Sequence, residues 1–149
     1  MTSLTKAARF ALYSVVMMAM DSERVTAARI ATEMGISENH VKKVLQQLAR
    51  TSVVVATRGA NGGYALARPA SELTMLDVIE AIEGPWRSPC ATCDLSRGEH
   101  RPCAPHLAAC GVHDVLSELD GRAYFTLKSV TVATLTRRGR RVIRLPQAG

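Results

Sequence analysis

Apolar residues recur along the first 84 residues of this chain with two different periods, and each period predicts a different element. The stretch LTKAARFALYSVVMMAM is apolar on most sides, which predicts a largely buried helix over residues 5–20. In VTAARIATEMG, Ile30, Ala31 and Met34 share one helical face, Thr26 stands where an N-cap belongs, and Gly35 stands where a helix ends. ISENHVKKVLQQLAR follows directly, with Val41, Val44, Leu45 and Leu48 spaced as a single helical stripe and Ser37 as its cap. Its opposite face is polar: Glu38, Asn39, Lys42, Lys43, Gln46 and Gln47. Two short helices joined by a glycine turn predict a helix-turn-helix, because Gly35 can take positive φ and Ala31 permits close packing.

Beyond residue 50 the period changes. TSVVVATRGANGGYALARP has β-branched Val53, Val54 and Val55, a turn over Gly59–Gly63 and a return strand around Tyr64–Ala67, with Asn61, Gly62 and Gly63 as the turn signal. A hairpin placed directly after a helix-turn-helix is a wing. ELTMLDVIEAIEGP then predicts a short helix opened by a capping box of Thr74 and Asp77 and closed by Gly84 and Pro85. From His113 to about Ser129, Val115, Leu116, Leu119, Ala123 and Leu127 lie near helical spacing, interrupted by Gly121. An amphipathic helix at the far end of a small protein predicts a partner subunit, the plainer alternative being that it folds back on the first helix. The fold class expected is mainly α with a small β-hairpin. Its parts are a winged helix-turn-helix DNA-binding domain over residues 1–84, a cysteine-rich loop over 85–112, a long dimerisation helix over 113–135 and a basic, unstructured tail over 136–149.

Charge sharpens this picture. The net charge is +6, and it is unevenly placed. Residues 1–68 carry nine Lys/Arg against four Asp/Glu, residues 69–135 five against nine, and residues 136–149 five arginines and no acid, giving +5, −4 and +5. A basic front end points to a polyanion. Residues 10–20 follow Lys6 and Arg9 in the manner of a signal peptide, but the run continues into a patterned helical region without a cleavage motif and is too short to span a bilayer. The expectation is a cytoplasmic protein, where thiols stay reduced, and no membrane or small-molecule substrate is implied. No phosphate-binding glycine motif is present, and nothing in the pattern suggests an enzyme.

In a helix-turn-helix, residues at the start of the second helix reach base edges in the major groove. Here the candidates are Ser37, Glu38, Asn39, His40 and Lys42. Asn can pair with adenine, Glu can accept from cytosine and Lys can donate to guanine. Lys43 and Gln46 or Gln47 would meet the backbone, while Arg58, Asn61 and Gly62 belong to the tip of the wing. The alternative for each is a solvated surface residue.

All four cysteines fall in one loop. Cys90, Cys93, Cys103 and Cys110, with His113 beyond, form C-x2-C-x9-C-x6-C-x2-H. Thiolate and imidazole are ligands for zinc or for iron-sulfur clusters, and C-x2-C also serves thiol-disulfide exchange, so the spacing leaves cluster, zinc site and redox switch open. His100 and His106 have no comparable spacing, and Trp86 is expected to anchor the start of the loop against the core.

The order of these pieces carries a resemblance. LTKAARFALYSVVMMA, IATEMGISENHVKKVLQQLAR, the wing TRGANGGYALARP, the cysteine loop and a helix ending TVATL resemble the Rrf family of bacterial winged-helix transcriptional regulators over residues 3–135. The resemblance implies a homodimer on a palindromic double-stranded DNA operator, and an iron-sulfur cluster held by three loop cysteines and a fourth ligand that varies by branch. By position the three are Cys93, Cys103 and Cys110. His113 matches the histidine of the iron-sulfur biogenesis (IscR-like) branch, which implies a 2Fe–2S cluster; another fourth ligand, such as Cys90, implies 4Fe–4S. ENHVKKV is similar to the nitric-oxide-sensing (NsrR-like) branch, although that branch has an aspartate where this chain has Arg9. The cysteine spacing is longer here than in either branch. The function expected is a regulator sensing nitric oxide, redox state or iron status. A zinc-stabilised or thiol-switched DNA-binding regulator is the alternative.

Overall fold

A computed structural model describes residues 4–21, 24–59, 62–86 and 111–142, with the backbone alone at 111–113 and 139–142. The elements are α1 (Lys6–Met20), α2 (Ala27–Met34), α3 (Glu38–Arg50), β1 (Val54–Thr57), β2 (Gly63–Leu66), α4 (Met75–Glu83), α5 (Gly111–Ser129) and α6 (Val132–Val142). Hydroxyl caps set four of the helix starts. Thr5, Thr26, Ser37 and Thr74 each accept from the backbone N–H three residues on, which satisfies a donor that the first helical turn otherwise leaves open. At Thr74 the capping box is complete, with the Asp77 carboxylate accepting from the Thr74 amide at 2.9 Å.

The core lies between α1, α3, α4 and the base of the hairpin. Val15, Ile30, Val41, Leu45, Leu48, Leu73 and Ile79 are fully buried in it. Each such side chain contributes about 1.5–3 kcal/mol relative to exposure, which explains why α1 is apolar nearly all round: it packs on α3, α4, β2 and α6. Its buried Ser14 satisfies its hydroxyl by donating to the Phe10 carbonyl at 2.8 Å.

The hairpin is antiparallel, with Val54 opposite Leu66 and Thr57 opposite Gly63. A third strand segment joins it. Val25, just ahead of α2, exchanges both backbone hydrogen bonds with Tyr64, at 3.0 and 2.9 Å. Gly63 permits this approach: its φ is +150°, and a Cβ there would lie 3.1 Å from the Val25 carbonyl oxygen.

The C-terminal third differs from the sequence expectation. α5 begins at Gly111 and runs through Gly121 without interruption. A separate helix follows where the pattern predicted an unstructured tail from residue 136; the backbone is helical to Val142. Thr131 opens α6 by accepting from the Thr134 amide at 3.2 Å, and Val132 is wholly buried against the core. Positions 132, 135 and 142 fall on one side of this helix, so it docks on α1 despite its arginines. Residues 143–149 lie outside the described residues.

The starts of α4 and α6 are fastened to each other. Met75 N–H donates to the Val130 carbonyl at 2.9 Å and Val132 N–H to that of Leu73 at 2.8 Å, a two-bond bridge between Thr74 and Thr131. Among the described residues no helix is long and apolar enough to cross a membrane.

Candidate nucleic-acid interface

α2 and α3 meet through a turn whose hinge is Gly35, in the left-handed region at φ 63°. The Ile36 N–H reaches the Ala31 carbonyl at 3.1 Å, so the turn is closed by backbone bonds, and α3 leaves it with its first residues exposed. Val41, Val44, Leu45 and Leu48 are buried, and Glu38, Asn39, His40, Lys42, Lys43 and Gln46 stand on the outer face. Six of the second-helix candidates thus stand on one exposed surface, beside the cap residue Ser37.

Their local partners differ. The Ser37 hydroxyl accepts from His40 N–H at 3.3 Å, so this side chain is first a cap, with its own O–H still available to a phosphate. Lys42 pairs with Glu38 at 2.7 Å, one helical turn away. That hydrogen bond and the charge beside it raise the Lys42 pKa above its ordinary value and keep the ammonium charged. Both groups are half-exposed, and a solvated pair of this kind contributes little, so DNA could take over either partner at little cost. His40 sits edge-on to Phe10 of α1, ring centroids 5.2 Å apart, which steadies the first turn of α3. Among the described residues Lys43, near the start of α3, and Arg58, at the wing, enter no ion pair. Gln47 points elsewhere: its amide donates to the Ala81 carbonyl at 3.2 Å, so it joins α3 to α4 and is not a backbone-contact candidate.

At the wing, Arg58 and Gly59 are exposed, and Gly62 N–H donates to the Gly59 carbonyl at 2.9 Å. A Cβ at Gly62 would stand 2.6 Å from the Thr57 carbonyl oxygen, so the turn itself requires this glycine. Asn61 lies outside the described residues. Arg24, not singled out by the sequence, donates to the Thr57 hydroxyl and braces the wing from the α1–α2 connection.

The second candidate site is described only at its two ends. Cys90, Cys93, Cys103 and Cys110, with His100 and His106, lie outside the described residues; the backbone of His113 belongs to the first turn of α5. Trp86, at the near end, has its amide on the Glu80 carboxylate at 2.7 Å and its indole N–H on Asp120 of α5 at 3.3 Å. Its ring lies 6.4 Å from that of Tyr124, which in turn carries Lys128 over its face at 5.7 Å. Trp86 is therefore anchored to α5 and not to the central core. Asp120, Tyr124 and Leu127 form the side of α5 turned to α4, the Trp86 ring and the core, while Val115, Leu116 and Leu119 remain exposed.

Comparison with known proteins matches this architecture. A family model described as Rrf2, iron-dependent transcriptional regulator, matches residues 4–138. The BadM protein of Rhodopseudomonas palustris is 33% identical over 133 residues, covering 89% of this chain and 80% of that protein. Among solved structures, CymR, the global cysteine regulator of B. subtilis, superposes with a TM-score of 0.75 at 21% identity, covering 93% of this chain and 98% of its own. IscR of T. potens gives a TM-score of 0.73 at 19% identity, covering 99% and 94%.

Proposed function

Since the chain belongs to the Rrf2 family of transcriptional regulators, and is a regulator and not an enzyme, we propose that it is a cytoplasmic homodimer whose DNA affinity is set by an iron-sulfur cluster in the loop between α4 and α5. Asn39, His40, Glu38 and Lys42 read base edges from the start of α3, Ser37 and Lys43 hold phosphates, and the wing tip at Arg58, Asn61 and Gly62 follows the adjacent backbone. Exposed Val115, Leu116 and Leu119 pair across a two-fold axis with the same residues of a second chain, which matches a palindromic operator.

The donor set fits such a cluster. Three thiols at Cys93, Cys103 and Cys110 supply the soft anionic ligands that iron-sulfur centres require, and His113 completes a 2Fe–2S site or Cys90 a 4Fe–4S site. When bound, a cluster of this kind supplies a centre sensitive to nitric oxide, oxidants and iron shortage.

The observation that carries the reading is the clasp between Trp86 and Asp120. From Asp120 to its end, α5 is strapped to α4 at both extremities, by this hydrogen bond and by the Thr74–Thr131 bridge. The half before Asp120 extends about 14 Å further at 1.5 Å per residue, and it holds both the exposed apolar stripe and the position of His113. The cysteine segment thus runs from the fulcrum of a lever to its tip. Drawing loop cysteines and His113 onto one centre ties tip to fulcrum, and so sets the direction in which the partner, with its own reading head, is held. A difference of a few kcal/mol between tied and free states changes operator occupancy strongly.

Anaerobically purified protein tests this through visible absorption, iron, sulfide and zinc content, and operator binding before and after cluster removal. Coloured protein with altered DNA affinity on cluster loss is expected. Colourless protein with one zinc per chain, or air-stable binding governed by a Cys90–Cys93 disulfide, replaces the cluster by a zinc-stabilised or thiol-switched regulator.

A further inference from the structure

Among the described residues, no hydrogen bond or ion pair joins Arg137 or Arg138 of α6 to the α3 surface or the wing. Residues 132–149 contain five arginines and no carboxylate, and α1, on which α6 docks, has no carboxylate either. Helical register sorts α6 into two sides. Positions 132, 135 and 142 lie along one side, on which Val132 is wholly buried in the core. Positions 137, 138, 140 and 141 fall on the opposite arc, where Arg137 and Arg138 are exposed and the Arg137 guanidinium reaches the Thr134 hydroxyl at 3.5 Å. Like charges three and four residues apart repel along a helix, so this arrangement weakens α6 unless an external anion neutralises it.

We infer that this arginine face of α6 is a second DNA-backbone contact, gripping phosphates outside the segment read by α3. The occupant must be a polyanion with closely spaced charges, because four arginines on one arc exceed what a single carboxylate can neutralise. Insertion into a lipid surface is disfavoured, since Val132 of the apolar side is buried in the core while Arg137 and Arg138 stand exposed. DNA is the polyanion that α3 and the wing already hold beside the protein, and α1 links the two surfaces directly: it carries α6 and touches His40 of α3 through Phe10. Guanidinium groups suit phosphate oxygens, to which they donate in pairs. The interaction is sequence-independent, so it adds affinity and not base preference. This inference rests on the DNA-binding reading above.

The test uses the full-length chain and a mixed-sequence 40-bp duplex, with affinity measured by fluorescence anisotropy across a salt series. In Arg137→Gln/Arg138→Gln/Arg140→Gln/Arg141→Gln, the slope of log K against log salt should flatten by about 0.9 for each phosphate no longer neutralised, at least two units in all, with affinity down tenfold or more at about 0.1 M salt. The four-lysine counterpart should keep most of the slope, and because it preserves the charge it also controls for any loss of α6 in the glutamine protein. A slope within half a unit of wild type in the glutamine variant, or a lysine variant as defective as the glutamine one, overturns the inference. A Lys43→Gln chain measured on the same duplex separates the two claims. If it weakens while the α6 variant does not, α3 reads DNA and α6 does not; if the wild-type chain binds no duplex, both readings fail.

Discussion

Leu119→Glu is the sharpest test of the proposed two-fold pairing. Val115, Leu116 and Leu119 are 57%, 39% and 58% exposed, so covering all three removes from water the equivalent of about one and a half aliphatic side chains per chain. At about 1.5–3 kcal/mol for each full burial, the stripe provides roughly 2–4 kcal/mol per protomer and twice that for the pair. Association itself costs about 4 kcal/mol or more in lost freedom, so the dimer has little margin without the stripe. A two-fold interface places the substitution on both sides. It removes about 1 kcal/mol of burial from each chain and adds several kcal/mol for each carboxylate taken from water. A total loss of at least about 4 kcal/mol corresponds to a thousandfold weaker dimer. Glutamate and leucine have similar helix propensities, and Leu119 is more than half exposed, so the folded monomer should be unharmed. Sedimentation velocity at micromolar concentration should find wild type as dimer and the variant as monomer, with the same circular dichroism and with operator affinity reduced to that of one half-site. A variant that stays dimeric, or a wild-type chain that is monomeric, refutes the reasoning.

Two further substitutions test the loop anchor and the wing. Trp86→Phe keeps a ring beside Tyr124 but removes the donor to Asp120; it should cost about 1 kcal/mol of stability and reduce the change in DNA affinity on cluster loss while iron content is unchanged. An unaltered response to cluster removal would show that the clasp transmits nothing. Gly62→Ala drives a Cβ to 2.6 Å from one backbone oxygen and 2.8 Å from another, neither of which can yield cheaply. Its wing amides should exchange faster with solvent and DNA affinity should fall, while the α3 amides keep their protection; unchanged exchange at the wing would contradict the geometry.

Elements specified by neighbours in sequence are legible without the structure. Thr26, Ser37 and Thr74 cap helices where their spacing to the next apolar stripe predicts, and Gly35 takes the left-handed conformation that its position demands. What escapes depends on contacts between distant residues or on a residue acting against its type. Ser52 adopts φ 58° to end α3, where glycine would be the usual signal. The pairing of Val25 with Tyr64 is a single bridge across 39 residues, too short to leave an alternating pattern. Gln47 lies on the polar side of α3 by period, yet α4 comes near enough for it to bond Ala81. Trp86 is an anchor, as its place at the start of the loop predicts, but it holds α5 and not the core, because nothing local marks Asp120, 34 residues on, as its acceptor. In α6 the arginines obscure a sparse apolar side whose members are three and seven residues apart.

The clasp also accounts for how the cysteine spacing can depart from that of the branches this chain resembles. Because the Trp86–Asp120 bond and the packing of α4 on α5 fix where residue 86 and the start of α5 stand without help from the cysteines, the closure cost of the intervening chain is met mainly by those contacts. Lengthening a closed loop adds cost only logarithmically, about 0.6 kcal/mol for each doubling, so extra residues between Cys93 and Cys103 are cheap in stability. The segment between residues 86 and 111 is in any case several times longer than the 14 Å from fulcrum to tip, at up to ~3.6 Å per extended residue. Its length alone therefore does not set the angle of the lever; in the reading proposed above, a centre that gathers its ligands does. In that reading the identity of the ligands matters more than their spacing, and His113, on the first turn of α5, is a candidate whose backbone stands on the lever itself. His113→Ala should for that reason weaken the coupling to DNA even in protein that retains its iron, whereas Cys90→Ala should leave the coupling intact. The reverse pattern would move the fourth ligand from the tip of the lever to its fulcrum.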